Sequence, residues 1–218
     1  PFQAPSQLLH FVGREDELER LHDAIIQAGQ ARLCALVGMG GVGKSTVATH
    51  LAHALRAEFP DGVLWAHVAA SDPLDVLSSW ARALGYDFSA LADVESRAAA
   101  LRGVLAEKRI LLVLDDVRSV ARTRPLLVSG SQGATLLTTR DLDVATALNA
   151  QPDRLDELTP SSSLRLLTRI LGEQRVNTEQ EAAEAICSLL RHLPLAVEIT
   201  AQRLLSRPRR RLADMADR

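Results

Sequence analysis

The chain has 218 residues, enough for an α/β domain with a small second domain or for a single larger domain. Because 47% of the residues are hydrophobic but only 3% are aromatic, a buried core must be built mainly from Leu, Ala and Val. The formal net charge of -2 excludes an argument from overall charge for nucleic acid or an acidic membrane surface as the partner.

The cysteines and the chain start indicate a cellular setting. Cys34 lies in an apolar, strand-like run and Cys187 in a helical pattern, where small buried thiols are common. We therefore expect no disulfide and a reducing, cytoplasmic location. The longest strongly apolar run, residues 110–114, is far shorter than the ~20 residues that cross a bilayer, so no membrane partner is expected. The chain begins at Pro1 without a leader pattern, which we interpret as an excised piece of a longer protein.

The first two thirds of the sequence alternate helical and strand-like patterns. Helices are predicted over residues 15–30, 44–58, 73–85 and 94–108, and strands over residues 32–37, 62–69, 109–117, 134–140 and 153–158. Pro73 suits the first turn of its helix, where its missing N–H costs nothing. The strand over residues 109–117 has no polar alternation, so we expect both of its faces to be buried. This order indicates parallel βαβ units.

The pattern changes after Leu158. Three helical patterns follow, over residues 159–172, 178–193 and 194–207, without a convincing strand between them. We therefore predict a three-layer α/β domain over residues 1–157, with a parallel sheet of about five strands, and a small helical-bundle domain over residues 158–218.

A glycine-rich loop lies between the first predicted strand and the next helix. It reads GMGGVGKST and fits the pattern Gly-x-x-x-x-Gly-Lys-Ser. Its glycines let successive N–H groups face phosphate oxygens, and the following helix adds the positive end of its dipole. Lys44 is one of two lysines beside 23 arginines, and its compact ammonium suits β- and γ-phosphates. The predicted nucleotide contacts are Gly38, Met39, Gly40, Gly41, Val42, Gly43, Lys44, Ser45 and Thr46, with the Ser45 hydroxyl on Mg²⁺.

Charged side chains end the next two buried strands. Asp115 is expected to hold Mg²⁺, directly or through water, and Asp116 to polarise an attacking water. Arg140 is expected to contact a γ-phosphate and report its presence. With Lys44, Asp116 and Arg140 make up the predicted catalytic set. The alternatives are a turn or helix cap for the acidic pair and a solvated charge for Arg140.

Two classes of ligand are not favoured. GTP-binding proteins recognise guanine through an Asn/Thr-Lys-x-Asp motif, and neither Lys44 nor Lys108 lies in one, so adenine is the expected base. The basic residues Arg207 and 209–211 stand beside acidic residues without interleaved aromatics, which favours a solvated helix end over a nucleic-acid site.

Five ordered motifs cover nearly the whole chain: FVGRE at residue 11, GMGGVGKST at 38, LLVLDDV at 111, ATLLTTR at 134 and LPLA at 193. In this order and spacing the chain resembles the NB-ARC group of STAND-class P-loop ATPases, which includes apoptosis activators, plant resistance proteins and bacterial relatives. The resemblance implies that Val12, Gly13 and Arg14 lie along the adenine of ADP or ATP, with Pro194 near the base. It also implies an additional strand between the loop strand and the Asp115 strand.

The sequence departs from this family in two ways. The family usually has Gly-Leu-Pro-Leu-Ala, and His192 stands where Gly is expected, which leaves the backbone conformation there open. The family also continues into a winged-helix domain whose histidine contacts the ADP β-phosphate, and this sequence ends first, without that domain or effector and sensor domains.

The resemblance implies a regulatory switch in which ADP holds a resting form and exchange for ATP permits activation and self-association. Slow ATP hydrolysis would reset such a switch. Three alternatives stay open: a turnover ATPase of the AAA-like class, a phosphotransferase acting on a small acceptor, and a non-hydrolysing module that binds ADP and partners. For a turnover ATPase, Arg118, Arg122 and Arg124 are candidates by position for an arginine acting on a neighbouring subunit.

Overall fold

The fold was analysed in a computed structural model that describes residues 1–26 and 32–216. By their contacts the residues form two compact units. The first comprises Pro1–Gln7, Glu17–Gly38 and Lys44–Arg154, and the second comprises Leu8–Asp16, Met39–Gly43 and Leu155–Arg218. The predicted domain boundary after residue 157 stays a prediction, because these units are defined by contacts and each contains discontinuous segments.

The first unit contains a parallel sheet, five-stranded within the described residues, in the order β2-β3-β4-β1-β5. Its strands are β1 (Arg32–Val37), β2 (Gly62–His67), β3 (Ile110–Val117), β4 (Ala134–Thr139) and β5 (Gln151–Arg154). β4 lies between the loop strand β1 and the Asp115 strand β3, as the resemblance implies. Seven of the eight residues of β3 are buried, which confirms that both faces of this strand are covered.

Helices cover both faces of the sheet. They are α1 (Glu15–Ile26), α2 (Lys44–Ala54), α3 (Pro73–Ala83), α4 (Val94–Leu105), α5 (Val120–Thr123) and α6 (Leu142–Ala147), with 3₁₀ turns at Leu55–Ala57 and Arg124–Leu126. α2 contacts β1, β3 and β4, whereas α3, α4 and α6 pack with the alternate strand residues in one apolar cluster. Pro73 occupies the first turn of α3, where the Asp72 carboxylate caps the helix, and this confirms the predicted start.

The fifth strand differs from the prediction. The sequence indicates a strand over residues 153–158, whereas β5 is Gln151–Arg154, a mostly exposed edge strand. The apolar residues that suggested the strand are buried elsewhere: Leu155 belongs to the second unit, and Leu158 lies in that unit's hydrophobic core. The predicted end of the first helix, residues 27–30, lies outside the described residues.

The second unit is helical. Its helices are α7 (Pro160–Leu171), α8 (Glu173–Thr178), α9 (Gln180–Leu189), α10 (Pro194–Leu205) and α11 (Ala213–Ala216). α7 contacts α8, α9 and α10, and a core of leucine, valine, isoleucine and alanine lies among them. The predicted class, an α/β parallel sheet accompanied by a small helical bundle, is therefore confirmed.

Two further expectations concern single residues and membranes. Cys34 and Cys187 are both buried and form no disulfide, which confirms their interpretation as small buried thiols. Among the described residues, no helix combines the length and the apolar character that crossing a membrane requires.

Candidate functional site

The glycine-rich loop connects a buried strand to the start of a helix. β1 ends at Val37 and α2 begins at Lys44, which is the context that the motif requires. Gly41 has φ 81° and Gly43 has φ 99°, backbone conformations that side chains other than glycine rarely adopt. The contacts assign residues 39–43 to the second unit, and Gly38, Lys44, Ser45 and Thr46 to the first.

Lys44 places a cation in a nearly buried position. Its residue is 9% exposed, and its Nζ donates a hydrogen bond of 2.8 Å to the Gly38 carbonyl. Desolvation, and then repulsion from Arg140, lower the pKa of Lys44, while Asp116 and Asp115 act in the opposite direction. A polyphosphate bound at this helix start would place negative charge beside the desolvated ammonium of Lys44.

Asp115 lies at the centre of a polar network in the first unit. The Ser45 hydroxyl donates to Asp115 Oδ1 at 2.7 Å, and the Thr138 hydroxyl donates to the same oxygen at 2.6 Å. His67 Nδ1 lies 3.0 Å from the other carboxylate oxygen, Oδ2. Because the Asp115 side chain is 4% exposed, this network determines the orientation of the carboxylate. The two predicted metal-binding residues, Ser45 and Asp115, are thus brought into direct contact.

A β-bulge explains how two consecutive acids fit at this strand end. Leu114 pairs with Leu137 and Val117 with Thr139, so Asp115 and Asp116 together face the single residue Thr138. Asp116 has φ 56°, a left-handed conformation that Asp tolerates better than most residues. Its N–H donates to the Thr138 hydroxyl oxygen at 2.9 Å, which replaces the ladder bond that the bulge removes.

Asp116 and Arg140 share an electrostatic environment with Lys44. Arg118 donates from Nε and Nη2 to the two Asp116 carboxylate oxygens, at 3.2 and 2.7 Å. This pair is the main cause of the lowered pKa of Asp116, and the charges of Arg140 and Lys44 add to it. Arg140 follows β4 directly and is exposed. The three predicted catalytic residues therefore belong to the same unit and interact electrostatically.

Arg14 is almost fully buried in the second unit. Its residue is 4% exposed, and its Nη2 donates to the carbonyls of Val42 at 3.0 Å and Asp156 at 2.6 Å. Val12 is buried in the helical core, and Gly13 has φ 68°. A Cβ at Gly13 would collide with the Ser162 side chain, so glycine is required at that position.

Pro194 occupies the first turn of α10, within the second unit. The next residue, Leu195, donates its N–H to the Gly41 carbonyl at 3.2 Å, and a Cβ at Gly43 would lie 3.9 Å from Pro194 Cγ. Pro194 thus lies beside the loop residue Gly43. Its predicted role beside an adenine stays a prediction.

His192, which replaces the glycine of the family pattern, has the backbone conformation that favours glycine. Its φ is 54°, and that of Arg191 is 52°. The His192 backbone donates to the Cys187 carbonyl at 2.9 Å and accepts from the Leu158 N–H at 3.1 Å. Its side-chain Nδ1 forms a hydrogen bond of 2.8 Å with the Ser163 hydroxyl. These contacts stabilise the left-handed backbone conformation of His192, although the residue is not glycine.

The oxygen atoms at Asp115 fit a Mg²⁺ ion. Mg²⁺ prefers oxygen ligands and is usually held by one or two carboxylates together with substrate phosphates. The Ser45 hydroxyl and the Asp115 carboxylate provide such oxygens next to the loop lysine. Within residues 1–26 and 32–216 there is no group of three or more His, Cys, Asp or Glu side chains that could hold a metal. The Ser45 and Asp115 oxygens are donors of the kind that accompany phosphate oxygens around Mg²⁺.

Sequence reasoning missed the contacts of Thr138 and His67 with Asp115. It named Arg118 only as a candidate to act on a neighbouring subunit, not as the partner of Asp116. Thr138 is the first threonine of LLTTR, and its position beside Asp115 follows only from the register of β3 with β4. His67 ends β2 and pairs directly with Asp115 across the parallel ladder. Knowledge of the strand order would have pointed to both, because the ends of neighbouring parallel strands lie side by side.

Comparisons with known proteins identify relatives of this chain. A family model described as the NB-ARC domain matches residues 14–177. The regulatory protein AfsR of Streptomyces coelicolor is 40% identical over 220 residues, covering 95% of this chain and 22% of its own length. Disease resistance RPP8-like protein 3 of Arabidopsis thaliana is 31% identical over 206 residues, covering 86% of this chain and 22% of its own length. The chain thus spans about a fifth of the length of these relatives.

Solved structures extend the likeness to the fold. The ORC1 protein of Aeropyrum pernix, solved in complex with DNA, superposes with a TM-score of 0.63 at 17% sequence identity. The match covers 95% of this chain and 65% of that protein. At this level of identity the similarity concerns the fold alone.

Proposed function

Because the chain belongs to the NB-ARC family, whose domain model matches most of its length, we propose that it is an adenine-nucleotide-binding regulatory switch. ADP holds a resting form, and exchange for ATP permits activation. The observation that carries this proposal is the network at the loop: Lys44 is nearly buried, and the Ser45 hydroxyl donates to the buried Asp115 carboxylate. The name of the similar Streptomyces protein, a regulatory protein, supports a regulatory role.

Phosphate binding is assigned to the glycine-rich loop. Lys44 neutralises phosphate charge, and the loop amides donate to phosphate oxygens. The chemistry that a bound Mg²⁺ would supply is neutralisation of phosphate charge. Ser45 and Asp115 are the residues that would hold it, with the hydroxyl as a ligand and the carboxylate orienting that hydroxyl.

Discrimination between ATP and ADP is assigned to Arg140, and polarisation of the attacking water to Asp116. An exposed guanidinium that interacts with Lys44 can pair with a γ-phosphate when one is present. A ligand shifts a conformational equilibrium only through its different affinity for the two forms. Converting a 1:99 population into 99:1 takes about 5.5 kcal/mol of such difference. Charge-assisted hydrogen bonds to one additional phosphate supply a substantial part of that energy.

A second function is favoured by the pairing of Asp116 with Arg118. Both oxygens of the carboxylate that would polarise water accept hydrogen bonds from one guanidinium. A protein that keeps this pair with nucleotide bound would retain ADP or ATP without hydrolysis and act as a binding module. Phosphate release from ATP, measured in the wild type and in Arg118→Ala, distinguishes slow hydrolysis from no hydrolysis.

Further parts of the proposal concern the longer protein. We assign it self-association on activation and a cytoplasmic location, in line with the switch function. Arg14, Val12, Gly13 and Pro194 are assigned to the adenine side of the nucleotide. Buried Arg14 supports this role indirectly, since it donates to the carbonyl of loop residue Val42.

Thermal denaturation with a series of nucleotides tests the proposal. A ligand that binds only the folded state stabilises it by mass action, by about 2.7 kcal/mol at a ligand concentration of 100 times Kd. The melting temperature rises as a result. ADP and a non-hydrolysable ATP analogue should stabilise the wild type, and GDP should not. Equal stabilisation by GDP and ADP would contradict the assignment of adenine, and no stabilisation by any nucleotide would contradict the switch.

A further inference from the structure

We propose that His67 is a positioning residue for the divalent-cation site of Ser45 and Asp115, holding the carboxylate in the orientation that directs the Ser45 hydroxyl. This inference rests on the proposed nucleotide-binding function and concerns how its cation site is organised. None of the five sequence motifs includes His67, which lies at the end of β2.

The strand register places His67 beside Asp115. The two residues are direct partners in the parallel pairing of β2 with β3, and partners in neighbouring strands present their side chains on the same face. The backbone strengthens this placement, because the Val68 N–H donates to the Asp115 carbonyl at 2.9 Å. His67 Nδ1 then lies 3.0 Å from Asp115 Oδ2.

The contacts of Asp115 divide between its two oxygens. Oδ1 accepts the hydroxyl protons of Ser45 and Thr138, and Oδ2 lies against His67. A hydroxyl has one proton and two lone pairs, so Ser45 keeps its lone pairs available for a cation as long as its proton points to Asp115. Without the His67 ring at Oδ2, the carboxylate would lose one of the contacts that resist its rotation.

The exposure of the His67 side chain favours a positioning role over a role in the hydrophobic core. The His67 side chain is 59% exposed, whereas that of Asp115 is 4% exposed. The imidazole also packs edge-on against Trp65, with ring centroids 6.2 Å apart and planes at 63°, which restricts its orientation. Removing a half-exposed ring leaves the core unchanged but takes away the side chain that lies against Asp115 Oδ2.

The expected effect is on cation affinity. Residues that orient a metal ligand through a hydrogen bond typically contribute 10–100-fold to metal affinity. Because the His67 ring is mostly exposed, we expect its contribution to cation affinity at the lower end of that range. In His67→Ala, the Mg²⁺ concentration that gives half-maximal tightening of a non-hydrolysable ATP analogue should rise about tenfold. Binding of the analogue without Mg²⁺ should stay as in the wild type. In His67→Asn, whose amide can donate from a similar position, the Mg²⁺ dependence should return to within about twofold of wild type.

The experiment is a Mg²⁺ titration of the fluorescent, non-hydrolysable ATP analogue, followed by anisotropy in each variant. His22→Ala is the control, since His22 is also partly exposed but contacts Asp23 and Glu58 instead. A tenfold loss in His67→Ala with rescue by His67→Asn and none in His22→Ala supports the proposal. An unchanged Mg²⁺ dependence in His67→Ala, or an equal loss in His67→Asn, overturns it while leaving nucleotide binding intact. A wild type that does not bind the analogue at any Mg²⁺ concentration overturns the proposed function as well.

Discussion

The Thr138 hydroxyl joins the two acidic residues of the β-bulge, and Thr138→Val removes it with little change in shape. Thr138 is 1% exposed. Its hydroxyl donates to Asp115 Oδ1 at 2.6 Å and accepts from the Asp116 N–H at 2.9 Å. Valine fills the same space but offers neither contact. The substitution therefore isolates the contribution of one hydroxyl to the folded state.

The expected loss of folding free energy is the sum of three contributions. A hydrogen bond to an ionised carboxylate contributes about 2 kcal/mol, and a partly buried amide left without a partner costs about 1 kcal/mol. The additional buried methyl group returns about 0.8 kcal/mol. The net loss is about 2 kcal/mol, which for a chain of this size lowers the melting temperature by about 4–8 °C.

Thermal unfolding followed by circular dichroism measures this loss. Thr135→Val on the same strand is the matched control, since Thr135 is equally buried and donates one neutral hydrogen bond, 3.2 Å, to Ser129. The loss of that bond and the gain of a methyl group nearly cancel, so the control should melt within ~2 °C of the wild type. Equal melting temperatures for the two variants would refute the role assigned to the Thr138 hydroxyl.

The catalytic assignment predicts that Asp116→Asn keeps nucleotide affinity, because Asn tolerates the same left-handed backbone, but loses phosphate release at least tenfold; turnover at the wild-type rate would remove the assignment. Arg140→Ala should narrow the difference in affinity between an ATP analogue and ADP about tenfold in titration calorimetry, and an equal loss for both nucleotides would show that the guanidinium does not contact the γ-phosphate. At position 192, Ala should be about 1 kcal/mol less stable than Gly, because both variants lack the Ser163 hydrogen bond but only Ala keeps the strain of φ 54°; a more stable Ala variant in thermal melts would contradict this account. Arg118→Ala should lower stability at neutral pH only slightly, since the pair is partly exposed and screened by solvent. Because the pKa of Asp116 is lowered in the folded state, that contribution is present above its unfolded-state pKa and should disappear as the pH falls through the folded-state value; a difference that persists in strong acid would contradict the pairing.

Local motifs account for what the sequence predicted well. The glycine-rich loop, the Asp115 strand end and the first turn of α3 each depend on a short run of neighbouring residues. The continuous apolar run of β3 indicated a strand covered on both faces, and it is buried in that way. The family resemblance added the strand order, with β4 between β1 and β3.

Contacts between distant residues account for what the sequence missed. The proximity of Thr138 and His67 to Asp115 is a property of strand register, which apolar patterning does not encode. The bulge adds one residue to β3 at the acidic pair, and no turn residue such as glycine marks it. The edge strand β5 is largely exposed, so its hydrophobic pattern was too weak to predict it. The predicted strand rested instead on Leu155 and Leu158, which are buried outside β5.

Calorimetric titration of ADP into the wild type and into Lys44→Ala examines the nucleotide site itself. The variant removes the near-buried ammonium at the start of α2 and leaves Ser45, Asp115 and the loop glycines in place. We predict saturable binding of one ADP per wild-type chain and no measurable binding to Lys44→Ala. Equal ADP affinity in both proteins would contradict the assignment of the glycine-rich loop as the phosphate-binding element.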